Sequence, residues 1–156
     1  MTAIFTDNSE WRKRLLGKYS EKQNLNIRFE KSLNISDTLN SQLPSQGSII
    51  MLPDKALYNR NNISQVLLAG YSKSITFIGY SISLTKTGAL ASIITPQNEI
   101  ANDISRLAYE IIETKKSPGI YYPQSYKVYI NKKILESLNV KIENWNIEQN
   151  KLEIVQ

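Results

Sequence analysis

The stretch of residues 74–96, SITFIGYSISLTKTGALASIITP, constrains the fold of this chain more than any other part of the sequence. Two apolar runs, at residues 75–78 and 90–94, flank a polar segment that contains two glycines. In open α/β sheets, corners of this kind place backbone donors and hydroxyl groups beside a ligand at the ends of buried strands. The pattern therefore predicts two buried strands joined by a polar corner.

The rest of the chain alternates short apolar runs with amphipathic stretches. Continuous or alternating apolar residues predict strands, whereas apolar residues three or four positions apart predict helices. Successive strand–helix units are typical of the α/β class, and they predict a doubly wound, mostly parallel sheet in a flavodoxin-like three-layer sandwich. We expect further strands at residues 3–6, 24–30, 48–52 and 126–130, and helices at residues 10–23, 63–70, 96–116 and 132–138. A further short helix, capped by Asn34 or Ser36, should run to residue 43.

The pattern of apolar and polar residues also predicts the positions of some strands in the sheet and the ends of some elements. Residues 48–52 are the most apolar short run and should form a central parallel strand, whereas residues 24–30 alternate and should lie near an edge. Thr95 should cap the helix that follows it, with Pro96 at the first helical position. The last residues, 143–156, favour either a closing strand or a partly ordered tail.

Composition excludes several kinds of function. The chain of 156 residues has no cysteine and no histidine, which rules out disulfides, thiolate nucleophiles and histidine-based catalytic triads. Its net charge of +5 comes from scattered lysines and arginines, so we expect no nucleic-acid partner. We predict one domain over residues 1–156, no enzymatic activity, no catalytic residue, no metal and no cofactor.

The sheet prediction also places the candidate ligand-binding residues, because ligands bind beyond the carboxyl ends of parallel strands. Asp54 follows the central strand and could accept a hydrogen bond from a ligand ammonium or hydroxyl group, or act as a turn carboxylate. Ser81 could donate to a ligand carboxylate or satisfy the backbone at the strand end. Asp7, Asn8 and Ser9 could reach a ligand, although their position before a helix favours capping.

Tyrosines near the same strand ends are further candidates. Tyr80 directly precedes Ser81, and Tyr58 follows Asp54 by four residues. A tyrosine ring can stack on an aromatic or apolar ligand, but tyrosines at strand ends are commonly packing residues. No dinucleotide-binding or P-loop glycine pattern is present. A receiver-like phosphoacceptor at Asp54 would require Lys86 in an unusual position.

Four sequence blocks then show a family resemblance. The blocks are, in order, SIIMLPD, NNISQVLLAGYSKSITFIGYSISLTKTGALASI, EIANDISRLAYEII and YKVYINKKILESLNV. Their order resembles the C-terminal half of ABC-transporter substrate-binding proteins of the tryptophan/tyrosine type, which have the type I periplasmic-binding-protein fold. The resemblance implies two lobes that close on a small molecule such as an amino acid. It further implies an ABC permease as partner and, for the full-length protein, a periplasmic or lipoprotein location.

The resemblance also implies that this chain corresponds to the C-terminal lobe alone. Residues 88–118 would then cross to an N-terminal lobe that the sequence does not contain, although a cytoplasmic sensory or regulatory module on the same fold is the alternative. The N-terminus does not resemble a signal peptide, so we expect either a cytoplasmic protein or one whose export signal lies outside this sequence.

The helix at residues 97–114 raises a packing question. It carries an apolar stripe formed by Ile100, Ile104, Leu107 and Ile111. Leaving these side chains exposed would forfeit about 1.5 to 3 kcal/mol each. We therefore expect the stripe to be covered by the chain's own sheet, by a second copy in a homodimer, or by the missing lobe.

Overall fold

A computed structural model describes residues 1–41, 47–142 and 147–155. Strands and helices alternate along most of the chain, as the apolar patterns predict, and most strand boundaries agree within one to three residues. The elements are β1 (Thr2–Phe5), α1 (Glu10–Lys22), β2 (Arg28–Lys31), α2 (Ile35–Ser41), β3 (Gly47–Met51), α3 (Ile63–Tyr71), β4 (Ile75–Gly79), α4 (Ile82–Thr87), β5 (Ala91–Ile94), α5 (Gln97–Thr114), β6 (Lys127–Asn131), α6 (Lys132–Ser137) and β7 (Leu152–Val155).

The strands form one seven-stranded sheet in the order β2-β1-β3-β4-β5-β6-β7. All neighbouring pairs are parallel except β5 and β6, which are antiparallel. This arrangement confirms the predicted fold class, the central place of β3 and the edge position of β2. Part of the C-terminal segment forms the closing edge strand β7, whereas residues 143–146 lie outside the described part.

The main core lies between one face of the sheet and helices α2, α3 and α4. Phe77 of β4 packs beside Gly70 of α3, where an added Cβ would lie 2.2 Å from the phenylalanine ring. Only glycine allows the helix to approach the strand so closely. Other fully buried side chains on this face come from β1, β3, α2 and α3: Ile4, Leu39, Ile49 and Val66.

The corner between β4 and β5 contains a helix that the sequence pattern did not reveal. Ser81 caps α4, since its Oγ accepts a hydrogen bond from the Leu84 N–H at 3.3 Å. Gly88, at φ 137°, ends the helix in a conformation that other residues rarely adopt. With six residues, α4 is too short to show a clear periodic pattern.

Helix α5 leaves the sheet instead of covering it. It has no buried residue, and the side chains of Ile100, Ile104 and Ile111 are 41%, 61% and 44% exposed. Of the three covers expected for the stripe, the chain's own sheet is therefore not the one observed. The physical reason is topological: β6 is antiparallel to β5 and starts where β5 ends, so the connection need not cross the sheet. The helix also begins one residue later than predicted, with Pro96 as its N-cap.

The segment that follows α5 is held at two points. The Tyr121 hydroxyl donates to Asp103 Oδ1 of α5 at 2.9 Å. The Tyr122 ring packs edge-on against Tyr19 of α1, with ring centroids 5.9 Å apart. The Tyr19–Tyr122 contact thus holds the segment between β5 and β6 against α1, whereas the apolar side of α5 stays exposed. None of the helices in the described ranges is long and apolar enough to span a bilayer.

Candidate functional site

The carboxyl ends of β1, β3 and β4 lie side by side because these three strands are parallel neighbours. The segment after β1 folds into a short 3₁₀ turn, Asp7–Ser9, which the Thr6 side chain caps. The loop after β3 carries Asp54 and Tyr58, and the loop after β4 carries Tyr80 and Ser81. The predicted candidates therefore share one edge of the sheet.

Asp54 lies at the centre of a closed hydrogen-bond network. Its Oδ2 accepts from the hydroxyls of Thr6 and Ser9, both at 2.5 Å, and its Oδ1 accepts from the Ala56 N–H at 3.0 Å. The residue is only 5% exposed. Asp54 thus links the segment after β1 to the loop after β3 and offers little to a ligand in this arrangement.

The network also determines the charge state of Asp54. Burial disfavours its ionised form, but the hydrogen bonds from Ser9, Thr6 and Ala56 outweigh that cost, so the pKa of Asp54 lies below its ordinary value. A carboxylate that accepts several hydrogen bonds is stabilised in its charged form. Asp54 is therefore an anion at neutral pH, and hydrogen bonds from the same chain compensate its charge.

The three residues of the 3₁₀ turn have different environments. Ser9 is fully buried and donates to Asp54, so it acts as part of the network. Asp7 is exposed and pairs with Lys31 Nζ at 2.6 Å. Asn8 is exposed, and its backbone N–H donates to Thr6 Oγ1 at 3.1 Å. Of the three, only Asp7 and Asn8 face the surface.

Tyr58, Tyr80 and Ser81 meet in one cleft of about 210 Å³. The cleft lies between the start of α3 and the start of α4. Its remaining lining residues come from the turn before α3 and from the two helices: Asn59, Arg60, Ile63, Ser83, Leu84 and Thr87. Two phenol rings, hydroxyl groups, an amide and a guanidinium group in one concave site can bind a small polar molecule.

The two tyrosines of the cleft differ in how their hydroxyl groups are satisfied. The Tyr58 hydroxyl is closed off from solvent and has no hydrogen-bond partner in the described part of the chain. Burial raises the pKa of Tyr58, and the nearby Tyr80 and Asp54 raise it further. Partial burial also raises the pKa of Tyr80, as does Asp54, while the Arg12 guanidinium acts in the opposite direction. Both side chains are neutral donors at neutral pH.

Ser81 is used structurally as well as lining the cleft. Its hydroxyl caps α4, and its backbone carbonyl accepts from Ser92 Oγ at 2.8 Å. The hydroxyl still has a proton to donate, because capping uses it as an acceptor. Both alternatives given for this residue, strand-end satisfaction and a contact to a ligand, are compatible with its position.

Sequence reasoning missed Arg12, Asn59 and Arg60 at this edge, whereas Thr6 ends the predicted first strand and belongs to its strand-end loop. Asn59 and Arg60 precede a predicted helix, and the rule that ligands bind beyond strand ends could have included them. The contact between Thr6 and Asp54, which are 48 residues apart, had no local signal.

Two larger cavities lie elsewhere. One, of about 490 Å³, lies between α3 and α6 and is lined mainly by Leu67, Leu68, Tyr71 and Lys133. The other, of about 320 Å³, is almost wholly apolar and lies over β5 and β6. Neither contains a predicted site residue. Within the described ranges, no cluster of acidic residues could hold a metal ion.

A family comparison identifies the group of proteins to which this geometry belongs. The model of the family described as "ABC transporter substrate binding protein" matches residues 4–150. The chain belongs to this family. The resemblance stated from the sequence blocks is thereby confirmed, and the seven-stranded α/β fold agrees with it.

Solved structures give the same fold at low sequence identity. A substrate-binding protein with adhesive properties from Clostridium difficile, CD0873, in its ligand-free, open form, has a TM-score of 0.71 at 13% identity, covering 99% of this chain and 53% of that one. A conserved domain protein from Vibrio cholerae has a TM-score of 0.65 at 17% identity, covering 99% and 54%. An ABC domain from Streptococcus pneumonia in complex with L-Trp has a TM-score of 0.59 at 17% identity, covering 92% and 50%.

The solved structures are longer than this chain. The chain spans about half of each of these solved structures. A search of the curated proteins found no match. Together, the comparisons show the family and the fold.

Proposed function

We propose that this chain is one lobe of a solute-binding protein of an ABC-type uptake system and that it binds a small molecule, such as an amino acid, beyond the carboxyl ends of β3 and β4. The observation that carries the proposal is the meeting of Tyr58, Tyr80 and Ser81 in one cleft at this edge of the sheet. Family membership supports the same function. The activity follows from binding alone and requires no bond making or breaking.

The candidate residues have separate roles in this proposal. Tyr80 supplies a half-exposed ring on which an apolar part of the solute can pack, and Ser81 supplies a hydroxyl donor. Asp54 acts indirectly, since it accepts hydrogen bonds from Thr6 and Ser9 and so holds the segment after β1 in place beside the loop after β3. Asp7 and Asn8, which are exposed, belong to the outer rim.

We further propose that residues 88–118 lead to a second lobe and that α5 packs on it. The exposed apolar stripe of α5 and the half-length match to the solved structures support this arrangement. Burying the stripe would recover about 1.5 to 3 kcal/mol for each large apolar side chain. In a two-lobe protein located outside the cytoplasm, closure of the lobes would enclose the solute, and an ABC permease in the membrane would receive it.

Thermal unfolding of the 156-residue chain in the presence of individual amino acids, nucleosides and small organic acids tests solute binding. We expect at least one solute to raise the Tm, because binding to the folded state alone stabilises it by mass action. Tyr80→Ala should abolish that rise. Tyr109→Ala, which alters an exposed tyrosine of α5, should leave it unchanged. A rise that persists in Tyr80→Ala would contradict this cleft as the site, and no rise with any solute would contradict binding by this lobe.

A further inference from the structure

The only charged side chain that lines the cleft is basic. None of its nine lining residues is acidic, and one of them, Arg60, is basic. Arg60 is exposed and lies in the turn directly before α3. The cleft wall therefore presents a guanidinium group and no carboxylate.

The acidic residue nearest the cleft is not available to a ligand. Three hydrogen-bond donors from this chain already occupy the carboxylate of Asp54, and the residue is nearly inaccessible. Because the residue is only 5% exposed, a ligand ammonium group could reach it only if the loops that carry Thr6, Ser9 and Ala56 moved apart. Since hydrogen bonds to a buried charge are costly to break, the network opposes that movement.

Two arginines near the same edge, by contrast, have no acidic partner within the described residues. Lys13 and Arg14 pair with Glu10, and Lys31 pairs with Asp7. Arg12 and Arg60 form no ion pair within the described residues. Arg12 lies over the ring of Trp11, 4.4 Å from its centroid, and is close enough to Tyr80 to favour ionisation of that phenol.

We infer that the cleft binds the anionic end of its solute, a carboxylate or phosphate group, beside Arg60 and the hydroxyls of Tyr80 and Ser81. This inference rests on the proposed function and specifies the chemical class of the ligand. A guanidinium group and neutral hydroxyl donors together form charge-assisted hydrogen bonds with such an oxyanion. The N-terminal end of α3, next to Arg60, contributes a partial positive charge of the same sign.

Four probes with one aromatic ring and different charges test the inference. N-acetyl-L-phenylalanine and phenyl phosphate are anions, L-phenylalaninamide is a cation, and N-acetyl-L-phenylalaninamide is neutral. Each is titrated into the ¹⁵N-labelled chain, and the amide resonances of Arg60, Tyr80 and Ser81 are followed. We expect at least one anion to bind about tenfold more tightly than the cation and the neutral probe, as one charge-assisted contact would give. The two anions distinguish a carboxylate from a phosphate preference.

A pair of variants assigns the effect to Arg60. Arg60→Met should reduce the affinity of the preferred anion about tenfold. Arg106→Met removes the same charge from α5, outside the cleft, and should leave the affinity unchanged. Equal binding of anion and cation, or equal effects of the two variants, would overturn the inference while leaving solute binding intact. If no probe shifts these three resonances, the proposed site itself is contradicted.

Discussion

The strand-end cleft and helix α5 differ in whether their side chains find partners within the chain. At the cleft edge, the buried charge of Asp54 is satisfied by three donors from the same chain. Along α5, the large apolar side chains stay exposed, and its charges, four acidic residues and one arginine, are mostly negative. The carboxylate of the first region is satisfied within the chain, whereas the described residues leave the apolar stripe of the second uncovered. The contrast teaches that this fold satisfies a buried charge locally but leaves large apolar side chains exposed along one helix.

The largest expected difference in the free energy of unfolding is between an isoleucine of β3, the strand that ends at the cleft edge, and an isoleucine of α5. Ile49→Ala in β3 should lower the free energy of unfolding by about 2 to 5 kcal/mol, because it removes a fully buried side chain from the core. Ile104→Ala in α5 should change it by less than about 0.5 kcal/mol, since that side chain is mostly exposed. Urea unfolding of both variants gives the two values.

A large cost for Ile104→Ala would break the comparison, because it would mean that α5 is covered in the isolated chain. Sedimentation of the unaltered chain over a range of concentrations then identifies the cover. A dimer that Ile104→Asp dissociates would mean that a second copy covers the stripe. A monomer would mean that α5 folds back onto its own sheet.

A smaller effect is expected for two aspartates at the cleft edge. Asp54→Asn should cost about 1.5 to 3 kcal/mol, because the Thr6 and Ser9 hydroxyls share one carboxylate oxygen and the Ala56 N–H uses the other, so the new amide donor faces either both hydroxyls or that N–H. Asp7→Asn should cost at most about 1 kcal/mol, since its pair with Lys31 is exposed. The free energies of unfolding at neutral pH provide this comparison.

The pH dependence sharpens this test. Since the pKa of Asp54 is lowered on folding, its charge stabilises the folded state at pH values above the ordinary value of 3.8, and this contribution is lost as the pH falls through the lower folded-state pKa. The unaltered chain should therefore lose more stability on acidification than Asp54→Asn does. Parallel pH profiles for the two proteins would mean that the network does not hold Asp54 as an anion.

Much of the fold was predictable because its signals are local. The apolar run before Asp54 predicted the central strand β3, and alternation predicted the edge strand β2, both of which the sheet order confirms. Helix α5 was also predicted as a helix. What covers it was not, because an amphipathic stripe indicates which face is apolar but not which surface meets it.

The candidate site was predictable only as an edge of the sheet. The strand-end rule selected Tyr58, Tyr80 and Ser81, which the structure brings together in one cleft. It could not show that Asp54 is enclosed by Thr6 and Ser9, since those contacts join residues more than forty positions apart in sequence. Pattern rules predict where a side chain lies along a strand, whereas its hydrogen-bond partners depend on the packing of separate loops.

The smallest expected effect concerns Tyr58, the one residue of the cleft that breaks the contrast between the two regions. Its hydroxyl oxygen is the only buried side-chain nitrogen or oxygen atom without a hydrogen-bond partner in the described part of the chain. Tyr58→Phe should therefore stabilise the isolated chain by up to about 1 kcal/mol, because a buried hydroxyl without a hydrogen bond is costly. Tyr129→Phe, which alters a tyrosine of β6 outside the cleft, is the matched control and should change stability by less than about 0.5 kcal/mol. A loss of stability in Tyr58→Phe alone would show that the hydroxyl is bonded in solution, and the cleft edge would then be complete without exception.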